Sequence, residues 1–158
     1  MSDDPMRIPL ADAAATEALG AALARALTGQ ALVVFLRGDL GAGKTTLARG
    51  LLQALGHTGA VRSPTYTLME PYDLAIGRCL HLDLYRMVDA EELEYLGLRE
   101  EVGQAALLLV EWPEQGGELL PPADVRIDLS DEVGGTGRVA TLRAESDLAR
   151  ALLQRLNS

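Results

Sequence analysis

The stretch Gly38-Asp39-Leu40-Gly41-Ala42-Gly43-Lys44-Thr45 constrains this chain more than any other. It fits the pattern G-x-x-x-x-G-K-[ST] at every fixed position, a pattern that works only between a strand and a helix. Both flanks comply. Ala31 to Leu36 is short, apolar and partly β-branched, as a buried strand is. From Thr45 to Leu55, residues Leu47, Leu51, Leu52 and Leu55 recur at helical spacing.

The residue types explain themselves chemically. Glycines let the backbone curl so that its N–H groups converge on a phosphate. The following helix adds free N–H groups and the positive end of its dipole. A lysine in this position reaches the β- and γ-phosphates, and the hydroxyl after it holds Mg²⁺. The candidate nucleotide contacts are therefore Asp39, Leu40, Gly41, Ala42, Gly43, Lys44, Thr45 and Thr46. The plainer alternative is a Gly-rich turn that matches by chance. Lys44 argues against it: it is the only lysine, the remaining basic residues all being arginine. A compact ammonium on a flexible stem suits a phosphate loop where a guanidinium does not. The expected fold is α/β, a single P-loop NTPase domain spanning 1–158. Its central sheet would be mainly parallel and flanked by helices, with antiparallel edge strands.

Composition narrows the function. A length of 158 residues suits one domain with a sizeable core. The net charge of −9 and pI of about 4.6 argue against broad electrostatic capture of nucleic acid or anionic membranes. Cys79 has no partner for an internal disulfide and reads as a small buried apolar residue rather than a nucleophile. A reducing cytoplasm is the matching compartment. Met1 to Arg7 lacks the apolar core of a signal peptide, and no run reaches transmembrane length.

Around the phosphate loop the pattern predicts alternating strands and helices. Met6 to Leu10 reads as a first strand. Asp12 is the expected N-cap of a helix over Ala13 to Leu27, with Thr16 a solvent-facing or capping hydroxyl in its first turns. Ser63-Pro64 reads as a turn and Thr65 to Met69 as extended; the segment suits a switch-type loop or a plain turn equally well. Asp89 and Glu92 form a capping box before a short helix. Further on, Val125 to Ser130 and Val139 to Leu142 read as strands joined by a hairpin turn at Gly134 to Gly137, and Leu148, Leu152 and Leu156 as a C-terminal helix.

Two strand ends carry acidic residues. In Arg78 to Arg86, Leu80, Leu82 and Leu84 share one face while His81, Asp83 and Tyr85 share the other. Asp83 lies near the carboxyl end, where open α/β sheets bind ligands. The alternative is a solvated polar face, with His81 structural. Ala105 to Val110 is a continuous apolar run that ends in Glu111, the position where phosphate-loop enzymes place a magnesium-binding acid. A surface carboxylate is the alternative. Trp112 either covers the nucleotide pocket or a partner surface, or belongs to the core or rim.

Taken together, Gly38 to Thr46, Ser-Pro-Thr-Tyr-Thr-Leu (63–68), His-Leu-Asp-Leu-Tyr-Arg (81–86) and Val-Glu-Trp-Pro-Glu (110–114) resemble the TsaE family, formerly YjeE, over residues 8 to 130. The resemblance implies an ATPase subunit that works with TsaB and TsaD partner proteins. The assembly places a threonylcarbamoyl group on the adenosine 3′ of the anticodon in tRNAs reading A-starting codons. It implies Thr45 and Glu111 as Mg²⁺ ligands, Lys44, Asp83 and Glu111 as catalytic, and Ser63 to Thr65 as a switch region. It also places Thr16 near the nucleotide base.

Two other readings stay open: a small-molecule kinase with Asp83 as base, and a nucleotide-gated binding module. A GTPase is disfavoured, because guanine recognition in that class resembles Asn-Lys-x-Asp and the only lysine is already used. Asp131-Glu-Val-Gly134 matches D-x-x-G only by chance beside a hairpin. An acidic chain is expected to meet tRNA through its partners rather than by itself.

Overall fold

A computed structural model describes residues 4–61, 63–132 and 134–157. Among these, seven strands form one sheet in the order β1-β7-β6-β2-β5-β4-β3. In chain order they are β1 (Met6–Leu10), β2 (Leu32–Arg37), β3 (Met69–Leu74), β4 (Gly77–Asp83), β5 (Ala105–Glu111), β6 (Val125–Asp131) and β7 (Arg138–Ala144). The helices are α1 (Ala13–Ala26), α2 (Lys44–Ala54), α3 (Glu91–Tyr95), α4 (Leu98–Gln104) and α5 (Asp147–Leu156). The central strands β6, β2, β5 and β4 are parallel, and the edges β3, β7 and β1 are antiparallel. The expected α/β architecture is thus present, as a mixed sheet with a parallel centre.

The central strands read as apolar runs because both faces are covered. One face (Val34, Leu36, Leu107, Leu109, Val125 and Ile127) packs against α1, α2 and α5 through Leu23, Leu47, Leu51 and Leu152. The other face (Phe35, Leu80, Leu82, Leu108 and Val110) packs against Leu93 of α3 and Leu98 of α4. Prolines fall where a sheet tolerates them, Pro9 in β1 and Pro71 in β3, both edge strands.

Helix starts follow local chemistry. The Asp12 carboxylate accepts from the Ala15 N–H at 2.9 Å, and the Ser146 hydroxyl accepts from the Ala149 N–H at 3.2 Å. Glu92 reaches back to the Asp89 N–H at 3.0 Å as a capping box requires, but the Asp89 carboxylate accepts from Glu91 at 3.0 Å. Helix α3 therefore begins at Glu91, with Ala90 at the cap position.

Helices α1 and α2 touch backbone to backbone. A Cβ on Gly20 would lie 2.2 Å from the Leu47 carbonyl oxygen, and one on Gly50 would lie 2.2 Å from that of Glu17. Only glycine fits at either position. The Glu17–Arg49 ion pair, at 2.7 Å, joins the same two helices.

The segment after Pro64 departs from expectation. Thr65 to Thr67 form a turn rather than an extended stretch, closed by the Leu68 N–H donating to the Pro64 carbonyl at 2.8 Å. Leu68 has φ 66°, and its carbonyl accepts from the Asp83 N–H at 3.0 Å. The bond to the end of β4 holds the turn down, and β3 starts only at Met69. The chance D-x-x-G match includes Val133, which lies outside the described residues.

Candidate functional site

The parallel register sets up the site. Leu36 of β2 pairs with Glu111 of β5, and Glu111 pairs with Asp83 of β4. Both acids therefore end their strands side by side, at the carboxyl edge where such sheets bind ligands. The loop between β2 and α2 opens onto the same edge. Its Gly38, Gly41 and Gly43 have φ of 152°, 78° and 106°. The last caps α2 in the left-handed region, so the backbone curls and the first N–H groups of α2 are left free.

Lys44 is 5% exposed, and its ammonium donates to the carbonyls of Gly38 and Asp39, the latter at 3.0 Å. Burial lowers its pKa below the ordinary lysine value, against the opposing charges of Glu111, Asp83, Glu114 and Asp39. The Trp112 ring lies over the ammonium, 4.2 Å from its centroid. Trp112 has φ 58° and meets Tyr85 at 4.9 Å between ring centroids. It lines the cleft and also packs against the core on the Phe35 face of the sheet.

Glu111 is 3% exposed. Its carboxylate accepts from the Thr45 hydroxyl, at 3.2 Å to Oε1 and 3.0 Å to Oε2, and lies 2.6 Å from His81 Nε2. Asp83 is 4% exposed and accepts from Ser63 Oγ at 2.6 Å, Thr65 Oγ1 at 3.3 Å and the Tyr85 N–H at 3.1 Å. These burials set aside a solvated polar face for Asp83 and a surface carboxylate for Glu111.

The cleft has a volume of about 670 Å³, and its walls include Gly41 to Thr46, Ser63, Thr65, Asp83 and Glu111. A smaller cavity of about 170 Å³ adjoins it, bordered by Thr16, Gly43, Thr46 and Arg138. Thr16 is 3% exposed and its hydroxyl donates to the Asp12 carbonyl at 3.3 Å. This is back-bonding to the carbonyl four residues earlier, so Thr16 is neither the solvent-facing nor the capping hydroxyl expected; its methyl lies 3.4 Å from where a Cβ on Gly43 would be, because α1 packs this side against the phosphate loop. Leu40 lines the main cleft, whereas Asp39 borders only a separate cavity of about 140 Å³ beside Leu129 to Asp131.

Ala13, Tyr85, Arg86 and Arg138 line the cleft although they lie outside the set the sequence points to, and one more such residue, His81, sits behind Glu111. His81 is fully buried against Glu111. Arg138 borders both cavities, and its guanidinium lies 3.4 Å from where a Cβ on Gly43 would be. The alternation of β4 places His81 on Asp83's face; nothing local connects Arg138 to a loop so far away in the chain.

A carboxylate and a hydroxyl in contact offer the hard oxygen donors that Mg²⁺ takes. Among the described residues no group of three or more His, Cys, Asp or Glu could hold a metal ion. An ion at Thr45 and Glu111 would complete its shell with phosphate oxygens and water, as is usual for Mg²⁺.

The parallel centre, the glycine loop and the two strand-end acids define a P-loop nucleotide-binding fold. A profile described as "Threonylcarbamoyl adenosine biosynthesis protein TsaE" matches residues 10–139. The tRNA threonylcarbamoyladenosine biosynthesis protein TsaE of Haemophilus influenzae is 47% identical over 128 residues, 80% of this chain and 78% of that protein. The protein of the same name from Bacillus subtilis is 38% identical over 125 residues, 79% of this chain and 77% of that one. The crystal structure of Bacillus subtilis YdiB superposes with a TM-score of 0.82 at 28% identity, covering 99% of this chain and 97% of that one. The chain belongs to the TsaE family.

Proposed function

We propose that this chain is a single-domain, Mg²⁺-dependent ATPase serving threonylcarbamoyladenosine synthesis in tRNA, in the cytoplasm, with TsaB and TsaD proteins as its partners. The observation that carries the reading is the convergence of Lys44, Thr45, Asp83 and Glu111 on one cleft beside the phosphate loop. Family membership supplies the pathway. No helix among the described residues is long and apolar enough to cross a membrane.

In this reading Asp39 to Thr46 cradle the phosphates, and Thr16 lies toward the base. Lys44 leaves the Gly38 and Asp39 carbonyls to meet the β- and γ-phosphates. Thr45 and Glu111 would hold Mg²⁺, which when bound would supply charge neutralisation at the phosphate oxygens. Asp83 orients the attacking water, and its hydroxyl partners Ser63 and Thr65 act as the switch that registers the nucleotide's state. Phosphoryl transfer then rests on positioning and charge neutralisation. Arg138 adds positive charge at the cleft mouth. The net charge of −9 leaves tRNA contact to the partners.

The test is an ATPase assay with and without the partner pair and tRNA, with Lys44→Ala as control. Slow hydrolysis alone and faster hydrolysis in the assembly is the expected result. Equal rates in both would remove partner dependence, and transfer of the γ-phosphate to a metabolite would indicate a kinase.

A further inference from the structure

His81 has no place in the reading above, yet it is the most deeply enclosed polar residue near the cleft. It is 0% exposed, and Nε2 lies 2.6 Å from Glu111 Oε2. Its other ring nitrogen, Nδ1, is buried without a hydrogen-bond partner among the described residues. A carboxylate accepts, so in the tautomer that pairs them Nε2–H donates to Glu111 Oε2. All of the ring's hydrogen bonding is therefore spent on Glu111. Glu111 is gripped from two sides, by Thr45 of α2 and by His81 of β4, which fixes its carboxylate plane relative to the phosphate loop.

We propose that His81 is a positioning residue that holds the Glu111 carboxylate in the orientation needed to take a divalent cation beside Thr45. The inference rests on the reading of Glu111 as a metal carrier. Partners of this kind behind a metal ligand typically contribute about 10- to 100-fold in metal affinity or activity.

The experiment compares His81→Leu, which keeps bulk without a donor, with His81→Gln, whose amide nitrogen reaches about as far as Nε2. The measurement is calorimetric affinity for a non-hydrolysable ATP analogue, with Mg²⁺ and with EDTA, alongside Glu111→Ala. The ratio of the two affinities isolates the metal's contribution. His81→Leu is expected to lower that ratio about tenfold, with His81→Gln within about threefold of the parent and the EDTA affinity unchanged in both. A ratio lowered by Glu111→Ala but untouched by His81→Leu overturns the inference alone. A ratio untouched by Glu111→Ala overturns the metal-carrier reading and the inference with it. Should His81→Leu fail to fold, His81→Phe, which also fills the site without a donor, takes its place: a ratio lowered about tenfold supports the proposal, and an untouched ratio overturns it.

Discussion

Glu111 and Asp83 sit side by side on neighbouring parallel strands, with nearly equal burial, but they are held by different parts of the molecule. Glu111 is held by Thr45 at the start of α2 and by His81 within β4, both parts of the packed frame. Asp83 is held by the Tyr85 N–H next to its own strand and by Ser63 and Thr65, just before and within a turn. Two carboxylates of one kind thus have different mechanical ties. One is tied only to elements of the packed frame, and the other is tied in part to a turn.

The largest effect should come from Glu111→Ala. Turnover is expected to fall about 10²- to 10³-fold, as when a major electrostatic contact is lost, while nucleotide affinity changes far less. Because His81 loses its hydrogen-bond partner, stability should fall as well, by about 1–3 kcal/mol, readable in a denaturant melt. Asp83→Ala should lower turnover comparably but cost less stability, since the hydroxyls it frees can turn to water. Equal destabilisation by the two would break the comparison. If turnover is unchanged in both variants, neither acid has a catalytic role.

Next is the pair Ser63→Ala with Thr65→Ala. Roughly tenfold slower turnover is expected, on the scale of a lost orienting contact, together with faster amide exchange over residues 63–68. Unchanged exchange would mean that Asp83 does not anchor the turn. Arg138→Ala should weaken nucleotide binding by about 1 kcal/mol, the scale of a partly exposed charge contact, without altering the Mg²⁺ dependence.

The smallest effect concerns Cys79, two residues before His81 on the same strand. Burial raises its thiol to about 11, so native protein should resist alkylation at pH 8. The unfolded thiol ionises near 9 while the folded one stays protonated, so the folded state binds the extra proton and this group's contribution to stability declines as pH rises from about 9 to about 11. Rapid labelling of folded protein would show that this part of the frame opens.

The parallel centre, the phosphate loop and both acids are legible in the sequence because each depends on local pattern: a glycine spacing, apolar runs and the residue that ends each run. Burial of Asp83 is not, since alternation cannot distinguish a face covered by protein from one covered by water. The turn at Thr65 escapes local pattern because its conformation depends on a bond to Asp83, eighteen residues away. Arg138 escapes it because only the sheet order brings β7 near the loop.

The backbone contact at Gly20 and Gly50 has a consequence for how this protein can evolve. It joins the helix bearing Thr16 directly to the helix bearing Lys44 and Thr45, so the walls of the two adjoining cavities share one ruler. A single methyl group at either glycine would lengthen that ruler. Side-chain changes on the outer faces of these helices leave the spacing intact, whereas a change at either glycine must push the two helices apart and so reshape the cleft.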